Sequence, residues 1–305
     1  MEFPVLFLGA TPQDTPALYS LMNYADIALG TWYPMGGFGS VIRGMITLAE
    51  EQGVAFKAGE EVQEIIVKNG VTKGVRTNKG IYEADVVVAG ADYHHVDQDL
   101  LKNGYKGYSK KYWDGKKLAP SVLMFYLGIN KKLNGLGHHD LFFDESLDDH
   151  ATEIYKDPKW PSKPLFYTSC TSKTDPSTAP EGKENLVILI PIAPDLEDEQ
   201  HIRDHYFDLV MTRLENLTGQ FIRQHVIYNR SYSVNDLSAD YNAYKGNAYG
   251  LANTLMQTAN LRPSVKSKKV ENLYFTGQLT VPGPGVPPSI ISGEVVAGEV
   301  IKDMA

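Results

Sequence analysis

The sequence contains a single cysteine, Cys170, and this scarcity excludes an internal disulfide framework. Cys170 lies in the apolar-rich stretch LFYTSCTS, so we expect a buried core thiol and not a nucleophile. A chain without disulfides is typical of a reducing compartment. We therefore expect a cytoplasmic protein.

Long apolar runs are also missing, because no stretch reaches the roughly 18 residues that a membrane-spanning helix needs. The opening stretch FPVLFLGA is too short for a signal peptide and lacks its basic flank. The sequence therefore predicts a chain that does not cross a membrane. Contact with a membrane surface stays open.

Basic runs and common catalytic motifs are lacking too. The net charge is -8 and no run of Lys or Arg exceeds two residues, so we expect no nucleic-acid partner. There is no G-x-S-x-G, no Walker loop and no H-E-x-x-H. His201 and His205 lie four residues apart, but on a predicted amphipathic helix from Asp198 to Asn216 without a third ligand. We predict no metal site.

The patterns that are present indicate a mixed α/β protein of about two domains. The stretch SVIRGMITLAEEQG predicts a packed amphipathic helix, with Ser40 as its N-cap and Gly53 as its stop. Asn69-Gly70 between two β-rich runs predicts a hairpin. The apolar run Val86 to Ala89 predicts a buried central strand.

The sequence pattern changes in residues 92–262, which contain the longer β-rich runs SVLMFYLGI and NLVILIPIAP. This change predicts a second domain inserted into the first. The chain then closes with NLYFTGQLTVPGPGVPPSIISGEVVAG, a predicted strand, Gly/Pro-rich loop and helix with Pro288 in its first turn. Glycines in such a loop let backbone approach a bound cofactor closely.

Several segments together carry a family resemblance: SLMNYADIALGTWYPMGGFGS, GHHDLFF, TDPSTAPEGKENL, GNAYGLANTLMQTANLRP and TGQLTVPGPGVPPSI. In this order they resemble the bacterial and fungal phytoene desaturases, FAD-dependent enzymes related in fold to the amine oxidases. Members of that family open with a G-x-G-x-x-G strand–turn–helix unit, which is not found here. The resemblance therefore identifies the chain with the C-terminal part of such a desaturase.

The resemblance implies an α/β fold: an incomplete, Rossmann-like FAD-binding domain with an inserted α+β substrate-binding domain. The expected FAD domain comprises residues 36–95 and 262–305, and the expected substrate domain comprises residues 1–35 and 96–261. Apolar side chains of the inserted domain are candidates for lining a substrate tunnel, although core packing is the expected role of most: Leu123, Phe125, Phe142, Phe143, Phe166 and Tyr167.

The resemblance also implies site residues. Those expected to bind FAD are Val62, Gly90, Ala91, Gly277, Gln278, Pro282, Gly283, Gly285, Val286, Pro287 and Ile290. Val62 corresponds to the family position that meets the adenine. The residues expected to bind substrate are Trp32, Tyr33 and Phe142. No catalytic residue is assigned, because the acid/base residue proposed for the family lies in the missing portion.

The function implied is desaturation of a C40 carotenoid, phytoene, by hydride transfer to FAD. We expect FAD to bind weakly or not at all to this chain alone, and the chain to self-associate or to pair with the missing segment. Peripheral contact with the inner face of the membrane is expected as well. Two alternatives stay open: a cofactor-free module that binds lipid or a partner, and a relative of the flavin amine oxidases.

Overall fold

The computed structural model describes residues 8–11 and 13–305, so most of the opening stretch FPVLFLGA lies outside the described residues. The chain divides into two compact units. Unit 1 comprises the described residues up to Ala17, Lys57–Ser121 and Asp236–Ala305, and unit 2 comprises Leu18–Phe56 and Val122–Asn235. The assignment of a cofactor domain and a substrate domain stays a prediction.

The strands are, in chain order, β1 (Val62–Lys68), β2 (Val71–Thr77), β3 (Ile81–Glu83), β4 (Val87–Ala89), β5 (Ser121–Ile129), β6 (His139–Phe142), β7 (Phe166–Ser169), β8 (Glu184–Ile192), β9 (Val226–Tyr232) and β10 (Leu273–Phe275). The α-helices are α1 (Ser20–Tyr24), α2 (Phe38–Glu51), α3 (Tyr93–His95), α4 (Lys110–Asp114), α5 (Leu147–Tyr155), α6 (Gln200–Thr218), α7 (Val234–Tyr241) and α8 (Val286–Met304). Two π-helical segments, Ala25–Leu29 and Val96–Leu100, continue α1 and α3. Single 3₁₀ turns occur at Ala17–Tyr19, Asn103–Tyr105, Thr171–Lys173, Pro176–Thr178, Arg223–His225, Tyr244–Gly246, Leu255–Gln257 and Ala259–Leu261.

Unit 1 contains a three-stranded antiparallel meander in the order β1-β2-β3. Asn69 and Gly70 connect β1 to β2 with φ values of 52° and 81°, the left-handed conformation that a tight two-residue hairpin requires. The predicted hairpin is therefore confirmed.

A second sheet of unit 1 is the parallel pair β4 and β10, in which Leu273 lies opposite Val87 and Phe275 opposite Ala89. The prediction of a buried central strand at Val86 to Ala89 was wrong, because within the described residues β4 pairs with β10 alone and Val88 is 48% exposed. An apolar run shows that a strand is apolar on both faces, but it does not show how many neighbours the strand has.

Unit 2 is built on one five-stranded sheet in the order β6-β7-β8-β5-β9. The two long β runs predicted from the sequence are its neighbouring strands β8 and β5. Leu123, Phe125 and Phe166 are almost fully buried in the core of this sheet, so they fill the core and do not line a tunnel. Cys170 is buried in the same core, and burial raises the pKa of its thiol to about 11, as expected of an inert cysteine.

Helix α2 corrects two further expectations. The helix begins at Phe38 after Gly37, and the Ser40 hydroxyl donates to the Gly37 carbonyl oxygen from inside the first turn, so Ser40 is not the N-cap. None of the residues of α2 is buried, so the prediction of a packed helix was wrong. Its stripe of apolar side chains is real but lies exposed, because periodicity shows which face is apolar and not what covers it. Gly53 does follow the helix end, with φ +84°.

Among the residues that the structure describes, no helix combines the length and the apolar character required to cross a membrane. The long helix predicted from Asp198 to Asn216 is α6, which begins two residues later and ends at Gly219 in the left-handed conformation. The predicted strand–loop–helix order at the end of the chain is confirmed by β10 and α8, with Pro287 and Pro288 in the first helical turn.

Candidate functional site

A cavity of about 320 Å³ lies in unit 1 where the parallel strands β4 and β10 end. The carboxyl ends of parallel strands are the usual location of ligand sites in α/β sheets. Four residues expected from the sequence to bind the cofactor line this cavity: Gly90 and Ala91 after β4, and Gly277 and Gln278 after β10. The structure thus brings together two segments that are far apart in the sequence.

Nine further residues line the cavity and were not predicted as site residues: Asp92, Tyr93, Leu237, Tyr241, Ala243, Asn247, Ala248, Thr276 and Leu279. Asn247 is buried, and its side-chain oxygen accepts a hydrogen bond from the Gly250 N–H at 2.6 Å. Its side-chain NH₂ group donates to the Tyr244 carbonyl oxygen at 2.6 Å. The motif GNAYG therefore forms a rigid turn in the cavity wall. The close spacing of Gly and Asn in this motif is the sequence feature from which the turn could have been predicted.

Asp92 places a carboxyl group beside the cavity. Its two oxygens accept hydrogen bonds from the backbone N–H groups of His95 at 3.1 Å and Tyr244 at 3.2 Å. Burial raises the pKa of this carboxyl above its ordinary value, although the N–H donors oppose the rise. Asp92 is thus held in place by backbone donors from two segments of unit 1.

The loop that follows β10 is fixed to α8 through Ser292, which is fully buried. The Ser292 hydroxyl oxygen accepts a hydrogen bond from the Gly277 N–H at 3.0 Å. The same oxygen lies 2.9 Å from the Thr276 hydroxyl and 3.0 Å from the Thr280 hydroxyl. Ser292 was not predicted as a site residue, and its hydrogen bonds hold the loop in place.

Arg262 also holds this loop in place, through hydrogen bonds from its guanidinium group. It was not predicted as a site residue. Its buried guanidinium donates to the carbonyl oxygens of Gln278 at 3.1 Å and Leu251 at 3.2 Å, and also to the Asn253 side-chain oxygen. A Cβ atom at Gly283 would lie 3.1 Å from this guanidinium. The glycine at position 283 is therefore required by packing on Arg262.

The remaining loop glycines are required by the backbone itself. Gly277 and Gly285 have φ values of +104° and +121°, and a Cβ at Gly285 would lie 3.1 Å from Cδ of Pro288. Gly90 differs, because its φ is not in the left-handed region and a Cβ there would lie 3.7 Å from Cγ2 of Thr276, an ordinary contact. Neither the backbone conformation nor packing within the chain therefore requires a glycine at position 90. The absence of a side chain there leaves space at the cavity wall.

The other residues expected to bind the cofactor do not line this cavity. Val62 is half-buried at the start of β1. Pro282, Val286, Pro287 and Ile290 are exposed on the loop and the first turn of α8. Their roles stay predictions.

In unit 2, three motifs quoted for the family resemblance meet around Asp175. The Gly36 N–H donates to the Asp175 carboxylate at 2.6 Å, and the Tyr33 hydroxyl lies 3.4 Å from the same oxygen. The Tyr33 ring packs edge-on against the His138 ring, with centroids 4.7 Å apart. WYPMGG, GHHDLFF and TDPST thus form one cluster, in which Tyr33 was predicted from the sequence and Asp175 and His138 were not.

The charges of this cluster follow from its contacts. Hydrogen bonds from Ser177 and Gly36 hold the pKa of Asp175 below its usual range, so the carboxylate is ionised at neutral pH. Burial, with a smaller contribution from His139, lowers the pKa of His138, so its imidazole is neutral at neutral pH. Its Nδ1 lies 2.7 Å from the Thr174 hydroxyl. The cluster pairs one fixed negative charge with a neutral ring.

The other two residues expected to bind substrate lie apart from this contact. Phe142 is half-buried on β6 and stacks on Phe166, with ring centroids 4.4 Å apart. Trp32 is 87% exposed, and its indole N–H donates to the Leu29 carbonyl oxygen at 3.3 Å.

Metal ligation finds no support in the described part of the chain, where no three His, Cys, Asp or Glu side chains are grouped closely enough to hold an ion. His201 lies 2.9 Å from the Glu199 carboxylate on an exposed surface.

Comparison with known families matches residues 1–301 to the family described as flavin containing amine oxidoreductase. The chain belongs to this family. It is 41% identical over 305 residues to a carotenoid 3,4-desaturase of Haloarcula japonica, covering 100% of this chain and 62% of that protein. It is 31% identical over 304 residues to a zeta-carotene-forming phytoene desaturase of Myxococcus xanthus, covering 97% of this chain and 57% of that protein. The resemblance to carotenoid desaturases is therefore confirmed.

The chain spans less than two thirds of the length of these two relatives. Among solved structures, an oxidoreductase of Methanosarcina mazei superposes with a TM-score of 0.66 at 17% identity, covering 97% of this chain and 63% of that protein. This likeness supports the fold, and together with the family match it confirms the predicted α/β fold.

The cavity of unit 1 fits part of a flavin. Its volume of about 320 Å³ lies within the range of small-molecule sites, and Gly90, Ala91 and Gly277 present backbone to it. Gln278 and Asn247 add amide groups, which suit the hydrogen-bonding edge of a flavin ring. The donor set and the small side chains of this wall are thus compatible with the group that gives the family its description.

Proposed function

We propose that this chain is part of an FAD-dependent carotenoid desaturase that introduces double bonds into a C40 polyene. When bound, FAD supplies a hydride acceptor, while a proton leaves the neighbouring carbon as the double bond forms. The observation that carries the proposal is the convergence of Gly90, Ala91, Gly277 and Gln278 on one cavity at the ends of β4 and β10. Unit 1 is therefore the cofactor unit in this proposal.

The chain's own residues would act by binding and positioning. Gly90 and Ala91 would present their backbone to the flavin. Ser292 and Arg262 would not contact the flavin, but their hydrogen bonds keep the backbone of Gly277 and Gln278 in place. Preorganised backbone of this kind orients a cofactor without a cost of rearrangement during the reaction. In the proposal this contact is continued by the buried Gly283 and the exposed residues Pro282, Gly285, Val286, Pro287 and Ile290, and Val62 meets the adenine.

Unit 2 is the substrate unit in this proposal. Tyr33, Trp32 and Phe142 are apolar or aromatic side chains suited to a long polyene, and Asp175 fixes the segment that carries the first two. A polyene of this size dissolves in lipid and not in water, so we place the protein in the cytoplasm against the inner face of the membrane. Phytoene is the proposed substrate among C40 carotenoids.

A second candidate function is a module that binds lipid or a partner without a cofactor. The observation that favours it is the set of exposed apolar side chains in residues 18–48: Leu18, Leu21, Ile27, Leu29, Trp32, Met35, Phe38, Ile42, Met45 and Leu48. A flavin titration of the longer protein of which this chain is proposed to be part separates the two candidates, because only the desaturase requires the cavity of unit 1.

Gly90→Val tests the cofactor placement, and we would introduce it into the longer protein of which this chain is proposed to be part, because FAD is expected to bind weakly or not at all to this chain alone. We expect at least a tenfold loss of FAD affinity, measured by quenching of flavin fluorescence, because the new side chain enters the cavity. The matched control is Gly80→Val, since Gly80 is exposed, has no left-handed φ and has no atom within 4 Å of an added Cβ. Equal FAD affinity of the two variants would overturn the placement.

The substrate class is tested separately on the longer protein of which this chain is proposed to be part, with phytoene in liposomes and FAD present, because this chain alone is expected to be inactive. We expect conjugated double bonds to appear as visible absorbance. Flavin-loaded protein that leaves phytoene and other C40 carotenoids unchanged would contradict the desaturase proposal, while the cofactor placement would stand.

A further inference from the structure

Lysines gather in two segments of unit 1. Residues 101–118 and 264–272 contain nine Lys and two acidic residues, whereas the whole chain has a net charge of -8. The lysines occur singly or in the adjacent pairs Lys110-Lys111, Lys116-Lys117 and Lys268-Lys269, so no run exceeds two residues. The charge of the molecule is therefore strongly uneven, with a basic region on an otherwise acidic protein.

The two segments are packed against each other. The Ser264 N–H donates to the Tyr108 hydroxyl at 2.9 Å. An added Cβ at Gly107 would lie 3.8 Å from Cβ of Lys268, and Nζ of Lys268 lies 3.9 Å from the centroid of the Tyr108 ring. Lysines from both segments are thus neighbours in space.

Two of these lysines are held by stacked aromatic rings. The rings of Tyr108 and Tyr112 stack with centroids 4.2 Å apart. Lys268 lies against the first ring, and Nζ of Lys116 lies 4.3 Å from the centroid of the second. Burial lowers the pKa of Lys116, and the positive charges of Lys268 and Arg262 lower it further. Like charges are therefore held close together.

Three of the nine lysines have carboxylate partners: Lys102 pairs with Glu64, Lys110 with Asp114, and Lys266 with both Glu299 and Asp303. The other six have no carboxylate partner among the residues that the structure describes, and we call them the lysine face: Lys106, Lys111, Lys116, Lys117, Lys268 and Lys269. Six uncompensated cations in one region favour an anionic partner.

The surroundings of the lysine face distinguish between anionic partners. Nucleic-acid sites add exposed aromatic rings on which bases stack, but Tyr108 is buried and Tyr112 is covered by Lys116. No large apolar side chain is exposed between Val88 and Tyr126, where every residue is described, so nothing in residues 101–118 inserts into a bilayer core. Anionic lipid headgroups attract clustered lysines at a membrane surface by about 1 kcal/mol for each lysine, and this attraction does not need inserted apolar side chains.

We propose that the lysine face binds the headgroups of anionic phospholipids and so sets the orientation of unit 1 on a membrane. The acidic remainder of the protein is repelled by the same surface, so other faces do not compete. This inference deepens the membrane contact proposed above. It requires neither flavin nor carotenoid, so its failure and the failure of the desaturase proposal are distinguishable.

The test is co-sedimentation of the protein with vesicles of phosphatidylcholine alone and with vesicles that also contain phosphatidylglycerol, whose anionic headgroups give the surface a negative potential. We expect binding to the anionic vesicles only, and its loss as the salt concentration rises to about 0.5 M, because counterions screen the lysines. Inorganic phosphate at the same ionic strength should compete no better than chloride. Equal binding to both vesicle types, or binding that resists salt, would overturn the proposal.

The matched variants are the triple Lys111→Gln, Lys117→Gln and Lys269→Gln, and a control triple Lys73→Gln, Lys79→Gln and Lys156→Gln. All six lysines are exposed, and both triples change the net charge equally. We expect the first triple to lose vesicle affinity on the order of a hundredfold and the control less than threefold, with equal melting temperatures. Equal losses would overturn the proposal, as would displacement of the wild-type protein from vesicles by single-stranded RNA at stoichiometric amounts.

Discussion

The closing loop, residues 276–292, and the apolar segment, residues 18–51, both contain residues that the family resemblance assigned to ligand binding, yet their physical states are opposite. The loop is fixed by buried polar groups, with Ser292 fully buried and Arg262 4% exposed. The apolar segment has no buried side chain among those described. Hydrogen bonds within the chain fix the conformation of the loop, whereas most apolar side chains of residues 18–51 are exposed to solvent. Two sequence motifs that contribute to the same family resemblance can therefore differ in how far the rest of the chain holds them in place.

Arg262→Met is expected to have the largest effect on this comparison. It leaves the carbonyl oxygens of Gln278 and Leu251 without the guanidinium, so unfolding of unit 1 should require about 3 kcal/mol less free energy. Urea denaturation measures the loss. Arg43→Met on the exposed helix α2 is the control, with a change within about 0.5 kcal/mol. If both variants lost a similar amount of unfolding free energy, the closing loop and the apolar segment would not differ in how strongly side-chain hydrogen bonds stabilise them.

Ser292→Ala should have a smaller effect. The half-buried Gly277 N–H then loses its acceptor, the fully buried Ser292 hydroxyl, at a cost of about 1–2 kcal/mol. Hydrogen exchange at Gly277 should become faster, and mass spectrometry of peptides from this loop measures the rate. Ser289→Ala is the matched control, since Ser289 is exposed on the same helix and donates to the Gly285 carbonyl oxygen. An unchanged Gly277 rate would contradict the assigned role of Ser292.

Asp175→Asn tests the hydrogen bond between the Gly36 N–H of the apolar segment and the Asp175 carboxylate. We expect faster exchange of the Gly36 amide, because the amide side chain is a weaker acceptor than a carboxylate. The pKa of Asp175 is lowered by Ser177 and Gly36, so its contribution to stability is complete at neutral pH and is lost as the pH falls through this lowered pKa. The wild-type Gly36 amide should therefore lose protection in acid. A loss of the same size in the variant would exclude Asp175 as its cause.

Ile42→Gln should have the smallest effect. Ile42 is 55% exposed on α2, so the change in unfolding free energy should stay within about 0.5 kcal/mol. Binding of a hydrophobic dye to the protein should decrease, because the apolar stripe is interrupted. A loss of stability above about 2 kcal/mol would mean that α2 is covered in solution, and the contrast with the closing loop would disappear.

Local chemistry explains what could be predicted from the sequence. The Asn69-Gly70 hairpin and the order of strand, loop and helix at the chain end depend on residues that are neighbours in sequence. The family resemblance then indicated Gly90, Ala91, Gly277 and Gln278, which the fold brings to one cavity.

Contacts between distant residues explain what could not be predicted. Arg262 beneath Gly283, Asn247 beside Gln278, and Asp175 with Gly36 each join segments whose spacing in the sequence carries no signal of contact. The exposure of Val88 and of α2 was missed for a related reason. An apolar pattern reports the need for burial, while burial itself depends on a partner that the pattern does not specify.

The pairing of β4 with β10 has a consequence for the order of folding. These strands are separated by roughly 185 residues of chain, so their contact closes a very long loop and forms late. The five strands of unit 2 lie within residues 121–232 and are synthesised before β10. On the ribosome, the sheet of unit 2 can therefore form first. The cavity at the ends of β4 and β10 then forms only when the last strand of the chain has been made.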